Sequence, residues 1–407
     1  MKIPEWIEKI RTRDARWPFL IIAALISVAA ILTSGLLKGP DPADYTMAQY
    51  MQSQYNVVKA RVISVDDSRL EDEPYIKGMK IGVQPVRIEI IRGEHKGRVF
   101  DIDNTMNRAV NIRLKEGMTF LCLVQEENGE LQRVEVYGYS RDTAIYGLAL
   151  VFLAVMLLVG RKKGFYSMVS LAFAVIMIIF FLIPRILAGY DPVFMAITAS
   201  IIITAVSMFI VSGCTAKSIS AIIGVVLGVA MAGLTSVIAG KLTNISGVNA
   251  SEAEEMISLA STLPIKVPGL LFAGIIISAL GAIMDTGMSI SSTVFEDKSK
   301  SPKLSVKELY KSGMKASRDV IGAKINTLIL AFAGSSLIVI LLTMLYYMPY
   351  LRLINLDLLG LGIIRGLSGS IGLVLTVPLT AICAAFIASK TQQHQQNQQH
   401  NERMKRK

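Results

Sequence analysis

Cysteine, histidine and charge are all scarce in this chain, and each shortage removes a class of function. The three cysteines, Cys122, Cys214 and Cys383, fall in a β-patterned segment and two apolar runs without metal-ligand spacing, so neither a disulfide framework nor a zinc site is expected. Two of the three histidines, His394 and His400, lie in a Gln-rich tail, and His95 falls in a turn, where it reads as a solvated surface residue. No glycine loop ends in Lys-Ser/Thr to cradle phosphate, and no nucleophile has a placed histidine. The expectation is no enzyme activity, no cofactor and no metal. An intramembrane enzyme would need a nucleophile–base pair or two aspartates at matching depth, and among the acidic residues of the apolar runs only Asp285 qualifies.

What is abundant is apolar surface. Hydrophobic side chains make up 52% of the 407 residues and charged ones only 18%, with a mean hydropathy of +0.51. One water-facing core cannot absorb that much, whereas a lipid-facing surface can. The net charge of +11 does not point to nucleic acid, because Lys and Arg cluster beside the apolar runs rather than among stacking aromatics. A bilayer core about 30 Å thick needs roughly 20 apolar residues per helix. Eight stretches come near that length, close to 18–37, 143–160, 165–187, 193–212, 218–240, 268–292, 321–348 and 365–389. The first follows a basic start and is long for a signal peptide, so it reads as an uncleaved anchor. With the N-terminus inside, Arg161-Lys162-Lys163, Lys217, the Lys-rich loop 296–318 and Lys405-Arg406-Lys407 all fall in the cytoplasm. The outward loop 241–267 then carries Glu252, Glu254 and Glu255.

The expected architecture is therefore an α-helical polytopic membrane protein with an inserted small β-barrel of OB type. Residues 1–37 form the cytoplasmic N-terminus and anchor, 38–142 an extracytoplasmic linker and β domain, 143–389 a seven-helix core, and 390–407 a disordered cytoplasmic tail. Within 55–138, polar and apolar residues alternate over Val57–Val65, Lys80–Ile91, Lys96–Ile102, Met118–Val124 and Leu131–Tyr137, which predicts five strands. Arg92-Gly93-Glu94, Glu116-Gly117 and Asn128-Gly129-Glu130 supply turns between them.

Polar residues inside the apolar runs mark the candidate site. Gly274, Ser278, Gly281, Asp285, Ser289 and Ser292 recur at spacings of three and four, on one helical face. Small residues there let helices approach closely. A carboxylate at membrane depth costs about 2.5–3.5 kcal/mol on insertion scales, so Asp285 is expected to face the bundle interior or water. It either binds a cation or carries a proton, or it snorkels to the interface and accepts hydrogen bonds. Asn326 and Thr327 are at similar depth, preceded by Arg318-Asp319 at the cytoplasmic mouth. Arg318, Asp319 and Arg365 are candidates for gating or ion pairing, although Arg365 and Arg185 also read as interfacial anchors. Gly224, Gly228 and Ala232 form a packing ladder. In the cytoplasmic loop, Ser305 and Glu308 make a capping box for a helix running to about Arg318. That helix sets Val306, Leu309, Tyr310, Gly313, Met314 and Ser317 against Lys307, Lys311, Lys315 and Arg318. This division suits either a helix lying on an anionic membrane surface or a simply solvated charged face.

Three ordered blocks carry a resemblance to a known family: Leu280-Gly281-Ala282-Ile283-Met284-Asp285-Thr286-Gly287-Met288-Ser289-Ile290-Ser291-Ser292, then Arg318-Asp319-Val320-Ile321-Gly322 with Asn326-Thr327-Leu328-Ile329-Leu330-Ala331, and Gly369-Ser370-Ile371-Gly372-Leu373-Val374-Leu375-Thr376-Val377-Pro378-Leu379-Thr380. Together they resemble the YibE/F family. The resemblance implies a bacterial plasma-membrane protein and no established activity. The chain departs from the family pattern at Thr286 and at Gly362-Ile363-Ile364, where an acidic partner for Arg365 is expected. A looser similarity, to the membrane halves of SecD/SecF and resistance-nodulation-division proteins, implies ion- or proton-coupled transport. In that scheme Asp285 titrates, with Asn326 and Thr327 as its hydrogen-bonding partners and Ser289 nearby.

The function expected first is secondary transport of an unknown small molecule or ion. The alternative is a membrane scaffold or sensor whose β domain binds a partner. Expected partners are the lipid bilayer, a homo-oligomeric copy or another membrane protein, and no nucleic acid.

Overall fold

The computed structural model describes residues 17–36, 55–93, 95–127, 130–245 and 265–405. The expected linker 38–54, the acidic part of the loop 241–267 and the Asn128-Gly129 turn lie outside the described residues. The chain divides into two compact units, a helical one (1–40 with 159–407) and a second one (41–158).

The helices in chain order are α1 (Trp17–Leu36), α2 (Asp142–Met177), a π-helical turn (Ile178–Leu182), α3 (Ile183–Leu187), α4 (Pro192–Ser212) and α5 (Ala216–Thr243). They are followed by α6 (Val267–Lys300), α7 (Val306–Ser335), α8 (Leu337–Leu345), α9 (Tyr350–Ile354) and α10 (Asp357–Lys405). Among the described residues five helices are long and apolar enough to cross a membrane, or six if the bent pair α7–α8 counts as one.

The expected eight is not reached, for two reasons. The first predicted span supplies only the shorter apolar stretch Pro18–Ser34. The second and third merge into one helical run, Asp142–Leu187, of 46 residues. Arg161 interrupts that run with φ 46° and ψ −130°, between the two stretches that hydropathy separates. Its 46 residues are more than twice the roughly 20 that one crossing needs. The bend of 57° between Val320–Ser335 and Leu337–Leu345 falls at Gly334-Ser335-Ser336, where small and hydroxylated residues weaken the helical ladder.

The helical unit is held together where α5 crosses α10. A Cβ on Gly228 would lie 1.7 Å from the Thr376 hydroxyl oxygen, one on Gly224 2.0 Å from that of Thr380, and one on Gly372 2.4 Å from the Ala232 Cβ. The ladder of small residues therefore sets backbone against backbone. Gly287 of α6 closes on the same place, since a Cβ there would meet Val225 at 2.4 Å. Around this crossing Ile203, Ile210, Val225, Ile276, Ile283 and Leu373 are buried. On α3, Arg185 stacks 3.9 Å from the Phe181 ring centroid and reaches the Thr33 hydroxyl of α1 at 3.4 Å. It ties two helices together.

Two expectations about the cytoplasmic segments change. The capping box at Ser305 and Glu308 is present, but the helix it starts runs unbroken through the apolar stretch to Ser335 instead of stopping near Arg318. Its apolar face does not lie on a membrane surface. Leu309 is fully buried with Ile290, Val294, Val377, Ala381 and Ala385. The Gln-rich tail, expected to be disordered, continues α10 to Lys405, as its Gln, Glu, Lys and Arg content permits.

The second unit contains a curled antiparallel sheet, a half-barrel. Its strands are β1 (Tyr55–Val65), β2 (Leu70–Asp72), β3 (Lys80–Ile90), β4 (Val99–Met106), β5 (Thr119–Glu127) and β6 (Glu130–Tyr139), paired β2-β3-β1-β5-β6 with β4 also on β3. The five expected strands are all there, joined by the three-residue β2. In-register positions such as Ala60 opposite Ile90 and Val58 opposite Cys122 place alternate side chains on the concave face. Ala60, Ile88, Ile90, Phe120, Cys122 and Val124 fill it. Burial pushes the Cys122 thiol up to about 11, which keeps it inert.

Buried Gln84 holds the loop before β5. Its amide donates to Leu114 O at 2.9 Å and Asp67 Oδ1 at 2.7 Å, and its oxygen accepts from Asn104 at 3.0 Å. Glu73 anchors the 73–79 turn by accepting from the amides of Tyr75 at 2.7 Å and Ile76 at 2.5 Å and from Arg108 at 2.7 Å. Burial pushes the Glu73 pKa up, but the Tyr75 amide, Arg108 and the Ile76 amide outweigh it and hold the group below the usual carboxylate range.

Two predictions follow from these contacts. Gly228→Ala is expected to overpack the α5–α10 crossing, at a cost of about 1–3 kcal/mol, and to lower Tm in detergent. Gly281→Ala, whose Cβ would meet nothing within 4 Å, should leave Tm unchanged or raise it slightly; equal losses would contradict this packing. Because the Glu73 pKa is depressed, its stabilisation is complete above the ordinary glutamate value and disappears as pH falls through the folded one. Hydrogen-exchange protection factors in 73–79, taken relative to the intrinsic rate at each pH, should therefore fall as pH drops from 5 to 3 in the wild type, and Glu73→Gln should already show low protection at pH 7.

Candidate functional site

On the single chain the α6 stripe faces outward, so of the settings expected for Asp285 it does not take the bundle interior. Gly274, Ser278, Gly281, Asp285 and Ser289 are all exposed on the single chain, while Ile275, Ile276, Ala279 and Ile283 occupy the buried face. The reason is volume. The crossing of α5, α6 and α10 takes branched apolar side chains, which leaves the small and polar face outermost.

On that face Asp285 has a partner. The Lys324 ammonium of α7 donates to the Asp285 carboxylate. The lysine side chain is 18% exposed and the aspartate side chain 75%. The aliphatic stem of the lysine therefore lies in the helix interface while the carboxylate is presented outward. Beside the pair is a small crevice lined by Thr286, Ser289, Thr293, Ser317 and Lys324 and equally by the apolar Ile290, Ala316, Val320 and Ile321. The Thr286 hydroxyl is used internally, donating to Ala282 O at 2.8 Å.

The depth of the pair follows from the helix crossings. A Cβ on Gly369 of α10 would sit 3.1 Å from Leu328 of α7 and 3.3 Å from Ala279 of α6, so the three helices meet at this level. A Cβ on Gly313 would sit 2.8 Å from Val294, which fixes α6 and α7 as antiparallel neighbours over their length. At 1.5 Å per residue Asp285 lies roughly 9 Å and Lys324 roughly 6 Å from the Gly369 level, both toward the α6–α7 connection. That connection is held by buried Lys298, which donates to Pro302 O at 2.9 Å and Leu304 O at 2.7 Å.

The other predicted residues are distributed around this pair. Ser289 shares the crevice. Asn326 and Thr327 lie on the exposed surface of α7, and the Thr327 hydroxyl donates to its own helix at Ala323 O, 2.9 Å. Neither hydrogen-bonds Asp285 among the described residues, and the expected partnership passes to Lys324. Arg318 is exposed near the α6–α7 connection, and the Asp319 side chain lies outside the described residues. Arg365 is on α10, one turn before Gly369 and away from the pair. Lys324 was missed by sequence reasoning. The available signal was a lone lysine just inside the apolar run that starts at 321, a position as costly as that of Asp285.

Residues 148–390, more than half of the chain, match the family described as YibE/F-like protein. The chain belongs to the YibE/F family. No curated protein and no solved structure matches it. The family match covers the Asp285 and Lys324 helices and stops short of β1–β6, so the sheet lies outside the part by which the family is recognised. With the apolar helices, it makes this a membrane protein.

If Asp285 and Lys324 neutralise each other, a single reversal, Asp285→Lys or Lys324→Asp, places like charges together and should reduce folded yield. The double reversal is expected to recover most of it; a double variant no better than the singles would dissolve the pair.

Proposed function

We propose that this YibE/F protein is a secondary transporter, or an ion- or proton-coupled component of one, with Asp285 as the coupling group. The observation that carries this is the Asp285–Lys324 pair on apolar helices, with its carboxylate facing outward. A charge pair costs desolvation and is a poor source of stability, so its presence there favours a role in function. The chemistry is direct. Protonating Asp285, or placing a cation on it, removes the negative charge that holds the Lys324 ammonium. An uncompensated ammonium at that depth must move toward water or another anion, and α7 moves with it relative to α6. Proton or cation binding is thereby linked to a helix shift. In this reading Ser289, one turn along α6 from Asp285, helps to hydrate the carboxylate, with Asn326 and Thr327 exposed on α7.

The topology that suits this role has both termini in the cytoplasm and 38–142 outside the plasma membrane of a bacterium. It has eight crossings, with α1 the first and the run 142–187 contributing two. The strand pairing of the sheet supports an OB-type barrel left open between β4 and β6, which are not hydrogen-bonded as a ladder among the described residues. Lipid cannot satisfy the exposed α6 stripe, so water, a second copy or another membrane protein covers it. Enzyme activity and nucleic-acid binding have no support. A second role, partner binding by the sheet, is favoured by the polar depression formed by Asp66, Arg87, Asp101 and Asp103.

The test is proton and cation flux in sealed liposomes under an imposed pH gradient. Wild-type protein should carry flux, and Asp285→Asn and Lys324→Gln should each reduce it at least about tenfold while folding normally. Wild-type rates in both variants would remove the pair from the mechanism and leave the scaffold role.

A further inference from the structure

The sheet and the first long apolar helix meet at one corner. Only Ser140 and Arg141 separate the end of β6 at Tyr139 from the start of α2 at Asp142. The join is also clasped. The Lys59 ammonium of β1 donates to the Asp142 carboxylate, and the Ser140 hydroxyl reaches the same carboxylate at 2.6 Å. Sheet, clasp and the first half of α2 belong to one compact unit. Past Asp142 the helix turns apolar at once, with Ile145, Tyr146, Leu148 and Leu150 all exposed on the single chain. Tyr146 is about 6 Å along the helix from Asp142, at the level where a tyrosine marks the headgroup layer of a span.

The same corner of the sheet carries apolar side chains on its convex face. Alternation sends Val58, Ala60, Cys122 and Val124 to the concave core and leaves Val57, Lys59, Leu121 and Leu123 on the other side, Val57 opposite Leu123 and Lys59 opposite Leu121. A register shift of β6 between Leu121 and Cys122 adds Tyr137 beside them. Val57 is 52% exposed and Tyr137 58%. Strand spacings put all of these within about 10 Å of Lys59, and hence of the place where α2 leaves the sheet. The acids at this corner are partnered, Asp142 by Lys59 and Glu135 by Arg133, and exposed Arg141 adds a positive charge. The unlike end of the sheet is the polar depression with Asp66, Asp101 and Asp103, roughly 20 Å along β1 from Lys59.

We infer that the convex patch of Val57, Leu121, Leu123 and Tyr137 docks on the bilayer surface where α2 enters it, so that the sheet is seated on lipid headgroups by one corner. The patch is continuous with the lipid-facing surface of α2, and a two-residue connection with an ion pair across it leaves no slack to lift the sheet away. Tyr137 offers a ring to the acyl boundary and a hydroxyl to water. Arg141 suits the phosphate oxygens of the headgroups. Seating by this corner holds the acidic end off the anionic surface and keeps the polar depression open to dissolved partners. The inference rests on the membrane character of the chain and not on transport.

The experiment is tryptophan fluorescence of the full-length protein in nanodiscs of phosphatidylcholine and phosphatidylglycerol. A Trp6→Phe, Trp17→Phe background carries one probe, either Tyr137→Trp at the corner or Thr105→Trp on β4. Thr105 is exposed and lies opposite Val83, roughly 25 Å from the level of Lys59. Lipids brominated near the headgroup end of their acyl chains should quench the Tyr137→Trp probe about twofold or more and leave the Thr105→Trp probe unchanged. Adding Val57→Asp, a change at an exposed position, should leave Tm unchanged and remove most of the quenching. Asp285→Asn should keep all of it, even if flux is lost. A Tyr137→Trp probe that bromine does not quench would overturn the inference, and a blue-shifted emission in that case would put a second copy or another protein on the patch. Equal quenching of both probes, or quenching that survives Val57→Asp in full, would overturn the assignment of this corner.

Discussion

The close approach of α5 to α10 sets the positions of everything in the helical unit. With Gly224, Gly228 and Gly372 at the contact, the hydroxyls of Thr376 and Thr380 occupy the space that Cβ atoms would fill. In a membrane the hydrophobic effect does not drive helices together, so such proximity depends on van der Waals contact between small surfaces. Thr376 meets its own hydrogen-bonding need within the helix, donating to Gly372 O at 2.8 Å. Once α5 and α10 are joined, Gly287 lets α6 into the same crossing, and Gly313 and Gly369 let α7 pack against both α6 and α10.

That order of packing explains why the polar residues end up where they do. The bulky face of α6 is committed to the crossing, so its stripe of Gly, Ser and Asp turns away from it. The antiparallel pairing of α6 and α7, fixed by a short connection and by buried Lys298, then brings Lys324 to Asp285. The ion pair is a consequence of the packing, and its carboxylate is exposed on the single chain. A buried pair satisfied on every side would be locked, whereas this one has its lysine stem held and its acid open.

The sheet unit obeys a different logic. Alternation of side chains fills one concave face with apolar residues, and the long loops are fastened by carboxamides and carboxylates, Gln84, Asn104 and Glu73, that satisfy backbone groups. Its stability therefore depends on pH through Glu73, while that of the helical core depends on shape.

Much of this was present in the sequence. Hydropathy located the apolar helices because lipid exposure demands apolar runs regardless of partners, alternation located the five long strands, and the spacing of Ser305 and Glu308 announced a helix start that depends only on local backbone geometry. Three ordered blocks were enough to place the chain near its family. The sequence also showed that Gly274 to Ser292 share one face, but not which way that face points. Orientation is decided by which side of α6 fits the α5–α10 crossing, a property of three helices together. The same holds for Lys324. Its distance from Asp285 is long in sequence and short in space only because a connection held by Lys298 folds α7 back on α6, so the partner of the one acid that sequence singled out was settled by tertiary structure alone.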